Sequence, residues 1–227
     1  MMKLRGGQDA QTVLGYIQLS QAVAGYAFTK ESIEMYEFKT ALETPTLAFA
    51  KFNYALQIAH AINLLMPEYG LTAIALAIFA SSGEFSDKLN FPRMPSLAWA
   101  AAILALQHFK DTVPDWIVPA LFLASGIHGV FFTDQALAMY GVKVPLSKQS
   151  MTMAKFVNAG FVAIGAFLLA PTLGLSASQA FAAYAATYVA FILKMVTLDG
   201  GAELFNAAGA YVWAAIFGGA GVAALMM

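Results

Sequence analysis

The sequence predicts an all-helical polytopic membrane bundle made of two tandem four-helix repeats in parallel orientation. Of its 227 residues, 60% are hydrophobic and 11% are charged, and the mean hydropathy is +0.68. Soluble domains average roughly 45–50% apolar and about 25% charged residues. Eight predominantly apolar segments approach the length of a spanning helix, about 20 residues. The chain also resembles itself at a fixed spacing, which indicates duplication.

Four segments fall in each half. The first half contains Thr12–Thr29, Thr46–Met66, Gly70–Phe85 and Pro95–Phe109. The second half contains Pro114–Thr133, Met151–Ala170, Ser178–Leu198 and Ala202–Met226. No segment alternates with the period of a strand, which favours helices throughout. The segments beginning at Gly70 and Pro95 are short, so a bundle of six spanning helices is the alternative.

The duplication appears when the chain is compared with itself at an offset of 104 residues. Between Leu19–Leu71 and Leu123–Leu175, 18 of 53 positions are identical. The identities include Gly, Tyr, Lys and Pro residues at segment edges, which a shared apolar composition does not supply. We therefore predict two domains, residues 1–110 and 111–227. Four spans per half would leave both halves in the same orientation.

Basic residues predict which way the bundle faces. With eight spans, nine of the 12 Lys and Arg residues fall on one side, and Lys3, Arg5 and Lys110 fall on the other. Because the cytoplasmic side of a membrane protein carries the excess of basic residues, both termini are expected on the opposite side.

The densest polar stripe lies in the second segment. Asn53, Gln57, His60 and Asn63 are spaced by four, three and three residues, which places them on one face of a helix. Three interpretations stay open: a hydrogen-bonded seam between helices, a cradle for a cofactor, or a path for a substrate. The matched positions of the second half, Val157, Phe161, Ile164 and Phe167, are apolar.

The three histidines are candidate cofactor ligands. His60 and His128 lie inside apolar segments, and His108 ends one. A neutral imidazole can be an axial ligand of a haem or of another tetrapyrrole such as chlorophyll. The alternative is a packing histidine with hydrogen bonds to its neighbours.

Glu203 and Asn206 form a further candidate site, for a pigment or metal, one turn apart on the last segment. The alternative is a carboxylate that a helix start favours. The chain has no Cys, and it carries no recognisable hydrolase, zinc-protease or nucleotide-binding motif. We therefore expect no enzymatic activity.

The last segment is rich in Gly and Ala, including Gly218, Gly219 and Gly221. Small residues let helices approach closely in lipid, so we expect this segment to make the tightest helix contact, inside the bundle or with another subunit.

Two functions follow as hypotheses. The first is a non-catalytic structural subunit of a larger bioenergetic complex in an energy-transducing membrane such as the thylakoid. Its partners would be lipid and other membrane subunits, and its cofactor chlorophyll or another tetrapyrrole. The second is a small-molecule or ion transporter or channel with a polar path along Asn53, Gln57, His60 and Asn63. The net charge of -1 speaks against nucleic-acid binding.

Overall fold

The computed structural model describes residues 8–143 and 146–226, with side chains from residue 11 onward. This part of the chain holds eleven α-helices. They are α1 (Gln8–Ala27), α2 (Thr29–Glu34), α3 (Thr44–Leu65), α4 (Gly70–Leu89), α5 (Arg93–His108), α6 (Ile117–Phe131), α7 (Thr133–Met139), α8 (Lys148–Leu169), α9 (Ala177–Thr197), α10 (Gly201–Leu204) and α11 (Ala207–Leu225). Short 3₁₀ turns, Pro67–Tyr69 and Ala170–Leu173, follow α3 and α8.

The prediction of an all-helical protein is confirmed for the described residues, which contain no strand. Each of the eight predicted segments contains one long helix. The sequence did not predict α2 and α7, which are too short to show a hydrophobic period.

Three helical stretches are long and apolar enough to cross a membrane: Lys148–Leu173, α9 and α11. A fourth span results if α6 and α7, which meet at an angle of 116°, count as one. The prediction of eight spans is therefore not confirmed. The helices of the first half carry more polar residues, including Lys51 and the stripe from Asn53 to Asn63 on α3, and α5 has only 16 residues.

The bundle is organised around α3 and α8, which pack against each other at its centre. In the first half, α1 and α4 pack on α3, and α5 packs on α4. In the second half, α6 and α9 pack on α8, and α11 packs on α9. The neighbours of each central helix thus follow in the same order along the chain.

Near the starts of α3 and α8, side chains that match each other at the 104-residue offset are in direct contact. The Oγ1 atom of Thr46 lies 3.0 Å from the Oγ atom of Ser150, 104 residues away. Ser147 donates a hydrogen bond to Glu43, again 104 residues away. Contacts between matched residues are expected where two similar halves meet around a twofold axis.

Local backbone features also recur at this offset. The residues Phe28 and Phe132, which break α1 from α2 and α6 from α7, have nearly the same conformation, with φ of -118° and -124° and ψ of 48° and 47°. A side chain added at Gly25 would meet the Tyr54 ring. A side chain added at Gly129 would meet Asn158, which matches Tyr54. The same close approach of helices is therefore built twice.

Glu37 is expected to strain the chain, because its φ of 50° lies in the left-handed region. The matched residue, Gly141, has φ of 77° and no such penalty. We predict that Glu37→Gly raises the free energy of unfolding by about 1 kcal/mol, since the hydrogen bond that Glu37 accepts from Asn206 is exposed. Thermal unfolding in detergent measures this. The control, Glu31→Gly inside α2, should lower stability by about 1 kcal/mol, and an equal loss in both variants would contradict the prediction.

The last predicted segment, Ala202–Met226, is not one helix. Phe205 is extended and separates α10 from α11, and Asn206 caps α11 by accepting a hydrogen bond from the Ala208 amide. Gly219 has no atom within 4 Å of an added Cβ, and Gly218 meets only Val189 at 3.8 Å. A Cβ added at Gly221 would lie 3.1 Å from the Cβ atom of Ala185. Among the described helices α11 therefore does not make the tightest contact, and a contact with another subunit stays a prediction.

The tightest contact lies instead between α6 and α8. A Cβ added at Gly126 would sit 2.7 Å from the backbone nitrogen of Val162. A Cβ added at Gly165 would sit 2.9 Å from the backbone nitrogen of Leu123. Because these neighbours are backbone atoms, they cannot move aside for an added Cβ as a flexible side chain could.

The sequence predicts that Lys51 and Lys155 lie on the same side of the membrane. Each of them forms an ion pair with an acidic residue near the end of a neighbouring helix. Lys51 lies 3.3 Å from Glu84, and the matched Lys155 lies 3.7 Å from Asp199. On the predicted opposite side, Lys3 and Arg5 lie outside the described residues. The predicted position of the termini remains a prediction.

Candidate functional site

The polar stripe of α3 faces the interior of the protein. Asn53, Gln57, His60 and Asn63 are 4%, 5%, 0% and 6% exposed. The prediction that this face is covered by protein is confirmed. The four side chains nevertheless have different surroundings, so they do not form one continuous path.

His60 is held by a hydrogen-bonded triad with Gln18 of α1 and Tyr184 of α9. Its Nδ1 atom lies 3.1 Å from the Oε1 atom of Gln18. The Nε2 atom of Gln18 donates to the Tyr184 hydroxyl at 2.7 Å. The imidazole stacks on the Tyr184 ring with 3.7 Å between centroids and an interplanar angle of 1°. Because Gln18 presents an acceptor, His60 carries its proton on Nδ1.

This arrangement leaves no room for a tetrapyrrole at His60. The Nε2 atom is buried and has no hydrogen-bond partner among the described residues, which is the state of a free ligand atom. However, the ring is fully enclosed, with Tyr184 on one face and Phe167 at 4.7 Å. An axial ligand needs an open approach for a wide macrocycle. Here the residues fit a packing histidine, as the seam interpretation expects.

Asn63 packs against the start of α4. Its Oδ1 atom would lie 1.8 Å from a Cβ added at Gly70, so only glycine permits this approach. Asn63 thus belongs to the contact between α3 and α4, away from the triad.

The other two histidines lie apart from His60. His128 is half-buried on α6 beside Phe132, with 5.8 Å between ring centroids. His108 is exposed at the end of α5. The structure does not bring any two of the three together as joint ligands.

Glu203 and Asn206 do not converge on a ligand. Glu203 pairs with Lys148, whose hydrogen bond and charge lower the pKa of this exposed carboxyl. Asn206 donates instead to Glu37 at 2.8 Å. Among the described residues, no group of three acidic or histidine side chains is arranged to hold a metal ion.

A cavity of about 70 Å³ lies between the halves, beside the stripe, and we call it the polar cavity. Its polar lining includes Gln21, Tyr36, Asn53, Gln57, Gln149 and Thr152. Its apolar walls include Phe38, Phe156, Phe205, Trp213 and Phe217. Charged side chains are absent from the described residues that line it. The polar lining residues come mainly from the first half of the chain, and the apolar ones come mainly from the second half.

A cavity of about 90 Å³ lies between the halves at another place, and we call it the apolar cavity. It is lined by α3, α4 and α5 of the first half together with α6, α7 and α8 of the second. Its walls include Phe85, Phe91, Trp99, Phe122 and Phe161.

The two cavities are built from matched positions. Nine lining pairs are 104 residues apart: Gln21/Ser125, Ile33/Leu137, Tyr36/Tyr140, Phe49/Met153, Ala50/Ala154, Phe52/Phe156, Asn53/Val157, Tyr54/Asn158 and Gln57/Phe161. Five more are 114 residues apart: Ile78/Ile192, Phe91/Phe205, Ser96/Ala210, Trp99/Trp213 and Ile103/Phe217. A residue of the first half that lines one cavity therefore often has its matched residue of the second half in the lining of the other cavity.

Both cavities contain a tyrosine hydrogen-bonded to a tryptophan of the opposite half. Burial raises the pKa of Tyr36, and a hydrogen bond with Trp213 offsets part of the rise. Burial likewise raises the pKa of Tyr140, against hydrogen bonds with Trp99 and Ser125. Both hydroxyls stay neutral at physiological pH.

The polar cavity differs from its counterpart in having four side-chain amides, Gln21, Asn53, Gln57 and Gln149, where the apolar cavity has only Asn158 among the described residues. Gln149 is occupied, because its Oε1 atom accepts from Thr46 at 2.8 Å and its Nε2 atom donates to Thr40 at 3.3 Å. Asn53 accepts a hydrogen bond from Tyr188 at 3.5 Å. Within the described chain, the side-chain amides of Gln21 and Gln57 have no protein partner. Gln57 is therefore the best-placed group for binding.

Sequence reasoning identified Asn53 and Gln57 but missed the other lining residues. The signal was present in Tyr36/Tyr140, which are identical at the 104-residue offset. The pair Trp99/Trp213 needs a gap in the comparison, because the later part of the second half is displaced by ten further residues. The chain matches no protein-family model, no curated protein and no solved structure.

Proposed function

We propose that this protein is a small-molecule transporter whose binding site is the polar cavity. The carrying observation is the pair of amides, Gln21 and Gln57, that line a partly open cavity between the halves without a protein partner. A few polar groups placed along a largely apolar cavity are what orients a small ligand. These amides are therefore free to hydrogen-bond a bound molecule or water.

We further propose that the chain consists of two four-helix repeats in parallel orientation, related by a pseudo-twofold axis along α3 and α8. The contacts Glu43/Ser147 and Thr46/Ser150 support this proposal, as do the matched cavity positions. In this arrangement all eight long helices lie across the membrane, the polar ones shielded by the others. Transporters built from repeats bind their substrates at the repeat interface, often beside broken helices. Here α1/α2 and α6/α7 are broken at Phe28 and Phe132.

The lining of the polar cavity sets the chemical class of the ligand. With charged groups absent from its described lining, a bound ion would lack a counter-charge in a low-dielectric site. Amides and hydroxyls bind groups such as carbonyls and hydroxyls, while the Phe and Trp walls bind an apolar or flat body. The expected ligand is a small neutral molecule with at least one hydrogen-bonding group.

The transport interpretation requires the halves to move relative to each other. The polar cavity is closed off from the end of α3 by His60 and its packed neighbours. Rocking of one half against the other around the α3–α8 contact would open it. A permanently open channel is not expected, because the stripe is interrupted at His60.

The test uses the matched alanines Ala50 and Ala154, which line the polar and the apolar cavity and are each 1% exposed. We predict that mild-detergent purification yields a neutral compound, detected by mass spectrometry of an organic extract. Ala50→Phe fills the polar cavity and should lower its amount at least about tenfold, which corresponds to 1.4 kcal/mol. Ala154→Phe, the control, should leave the amount unchanged.

An equal amount of the compound in both variants would contradict the proposal. Copurification of other membrane subunits in place of a compound would favour the competing hypothesis of a structural subunit. Circular dichroism of each variant shows whether the fold is retained.

A further inference from the structure

We infer that Asn53 binds the ligand of the polar cavity as a hydrogen-bond donor, through its Nδ2 atom, and that Tyr188 is the positioning residue that fixes this polarity. The inference rests on the proposed function, because it concerns the ligand of the same cavity. It narrows that ligand to a neutral molecule with an acceptor group such as a carbonyl. It is carried by a chain of hydrogen bonds that ends at Asn53, by the packing around that chain, and by the accessibility of the Asn53 nitrogen.

The chain of hydrogen bonds runs from His60 to the wall of the polar cavity. Gln18 accepts from the Nδ1 atom of His60 at 3.1 Å and donates through Nε2 to the Tyr184 hydroxyl at 2.7 Å. The hydroxyls of Tyr184 and Tyr188 are hydrogen-bonded to each other. Tyr188 donates to the Oδ1 atom of Asn53 at 3.5 Å, and Asn53 lines the cavity. Side chains alone therefore connect the buried histidine to the cavity.

Each bond in this chain fixes the direction of the next one. A tyrosine hydroxyl has a single proton to donate. Because Tyr184 accepts from Gln18, its own proton is directed to Tyr188. The proton of Tyr188 is then left for Asn53, whose Oδ1 atom is the acceptor at the end of the chain. The Asn53 amide is thereby held with its oxygen toward Tyr188 and its nitrogen turned away.

The packing around Tyr188 keeps its hydroxyl at Asn53. The Tyr188 ring is 1% exposed and stacks on Phe217, with 5.0 Å between centroids and 9° between planes. A Cβ added at Gly160 would lie 2.9 Å from the Tyr188 hydroxyl and 3.4 Å from the Oδ1 atom of Asn53. The residue that matches Gly160 in the first half is Leu56. A side chain of that size would fill the space in which the hydroxyl and the amide oxygen meet.

The Asn53 nitrogen is available to a ligand. Among the described residues, Nδ2 of Asn53 has no hydrogen-bond partner, and the one fully buried side-chain nitrogen or oxygen without a partner is Nε2 of His60. Nδ2 of Asn53 is therefore open to a molecule the size of water, and the polar cavity is the space that this residue lines. An amide nitrogen donates and does not accept. The amides of Gln21 and Gln57 can turn either end toward a ligand, so Asn53 is the group that selects an acceptor.

The second half of the chain lacks this arrangement. The residues 104 positions after Gln18, Asn53 and His60 are Phe122, Val157 and Ile164. The polar groups are thus present together in the first half and replaced together in the second, as expected if they act as one unit. A fixed donor is therefore a property of the polar cavity and not of its counterpart.

The test compares two neutral probes of the same shape, acetophenone and isopropenylbenzene, of which only acetophenone has an oxygen acceptor. Equilibrium dialysis of the full-length protein in detergent gives the uptake of each probe, after subtraction of the uptake by Ala50→Phe, which fills the polar cavity. Asn53→Val introduces the residue of the counterpart. It should lower the preference for acetophenone at least about fivefold, which corresponds to roughly 1 kcal/mol.

The role of Tyr188 is tested with the same two probes. Tyr188→Phe keeps the stacked ring and removes the hydroxyl, so the Asn53 amide is free to turn and the preference for acetophenone should fall at least about twofold, or roughly 0.4 kcal/mol. The control, Tyr211→Phe, removes a hydroxyl from a residue that is 45% exposed on α11 and should leave the preference unchanged.

An infrared spectrum separates positioning from a general loss of structure. A hydrogen bond to a carbonyl group lowers its stretching frequency. The band of bound acetophenone with an isotope-labelled carbonyl should therefore lie at lower frequency in the wild type than in Asn53→Val. In Tyr188→Phe the band should broaden, because the amide then presents either its nitrogen or its oxygen to the probe.

An unchanged preference in folded Asn53→Val would overturn the inference, as would acetophenone uptake no greater than that of Ala50→Phe. An unchanged preference and an unchanged band in Tyr188→Phe would overturn the role of Tyr188. If Tyr188→Phe does not fold, as judged by circular dichroism, Gly160→Ala replaces it, because the added Cβ displaces the Tyr188 hydroxyl. Failure here leaves the transport proposal standing, because that proposal is judged by the compound that copurifies with the wild type and is lost in Ala50→Phe.

Discussion

Replacing His60 with alanine is expected to lower the free energy of unfolding by about 3–5 kcal/mol, the usual cost of deleting a large buried ring. The imidazole is fully buried and stacks on Tyr184 at 3.7 Å. Its removal leaves a void against Phe167 and deprives Gln18 of a hydrogen-bond partner. Thermal unfolding in detergent, followed by circular dichroism, measures the loss.

Two further variants define what His60 does. His108→Ala removes an exposed histidine and should change stability by no more than about 0.5 kcal/mol. His60→Phe retains an aromatic ring for stacking but loses the bond to Gln18, so it should cost less than His60→Ala. If His60→Ala melts like the wild type, the triad is not a stabilising seam. If His60→Phe instead abolishes a visible absorption band of the purified protein, His60 is a cofactor ligand.

The second large effect is expected at Gly126, where α6 and α8 make their closest approach. A Cβ there would lie 2.7 Å from the Val162 backbone nitrogen and 2.8 Å from the Asn158 carbonyl oxygen. Gly126→Leu should therefore force the helices apart and cost at least about 3 kcal/mol, the upper end of the range for overpacking. In lipid this loss is severe, because close contact is the main source of helix association.

The matched control is Gly219→Leu on α11, where an added Cβ meets no atom within 4 Å. It should not lower the melting temperature of the isolated protein, since leucine also has the higher helix propensity. Equal destabilisation by the two substitutions would show that the small residues act through the flexibility of the helix and not through contact. Loss of a copurifying subunit in Gly219→Leu alone would mark α11 as a docking helix.

The sequence was sufficient to predict the long helices, because each is an apolar run bounded by turn residues. It did not predict the break at Phe205, since the extended conformation there depends on tertiary contacts, including the hydrogen bond from the Asn206 amide to the Tyr36 carbonyl. Inside the bundle, it also placed the closest helix contact on α11, whereas the structure has it between α6 and α8. Glycine content alone does not show which face of a helix a neighbour covers, and on α11 Gly219 faces outward.

The candidate site was predictable only in part. Periodicity placed Asn53, Gln57, His60 and Asn63 on one covered face, and burial confirms it. Periodicity did not separate Gln57, which lines a cavity, from His60, which is packed between rings. That difference depends on which residues of α1, α8 and α9 pack against each turn of α3. Such contacts between distant parts of the chain are not encoded in local spacing.

The most direct test of the binding site is the amount of neutral compound that leaves with the protein when Gln57 is replaced by the residue of its counterpart, phenylalanine. Gln57→Phe removes a buried amide from the polar cavity and fills its space, as Phe161 does in the apolar cavity. We predict that the extracted compound falls at least about tenfold, the effect of losing roughly 1–3 kcal/mol of hydrogen bonding. The reverse change in the other cavity, Phe161→Gln, should leave it unchanged. A wild-type amount of compound bound to folded Gln57→Phe would contradict a ligand site in the polar cavity.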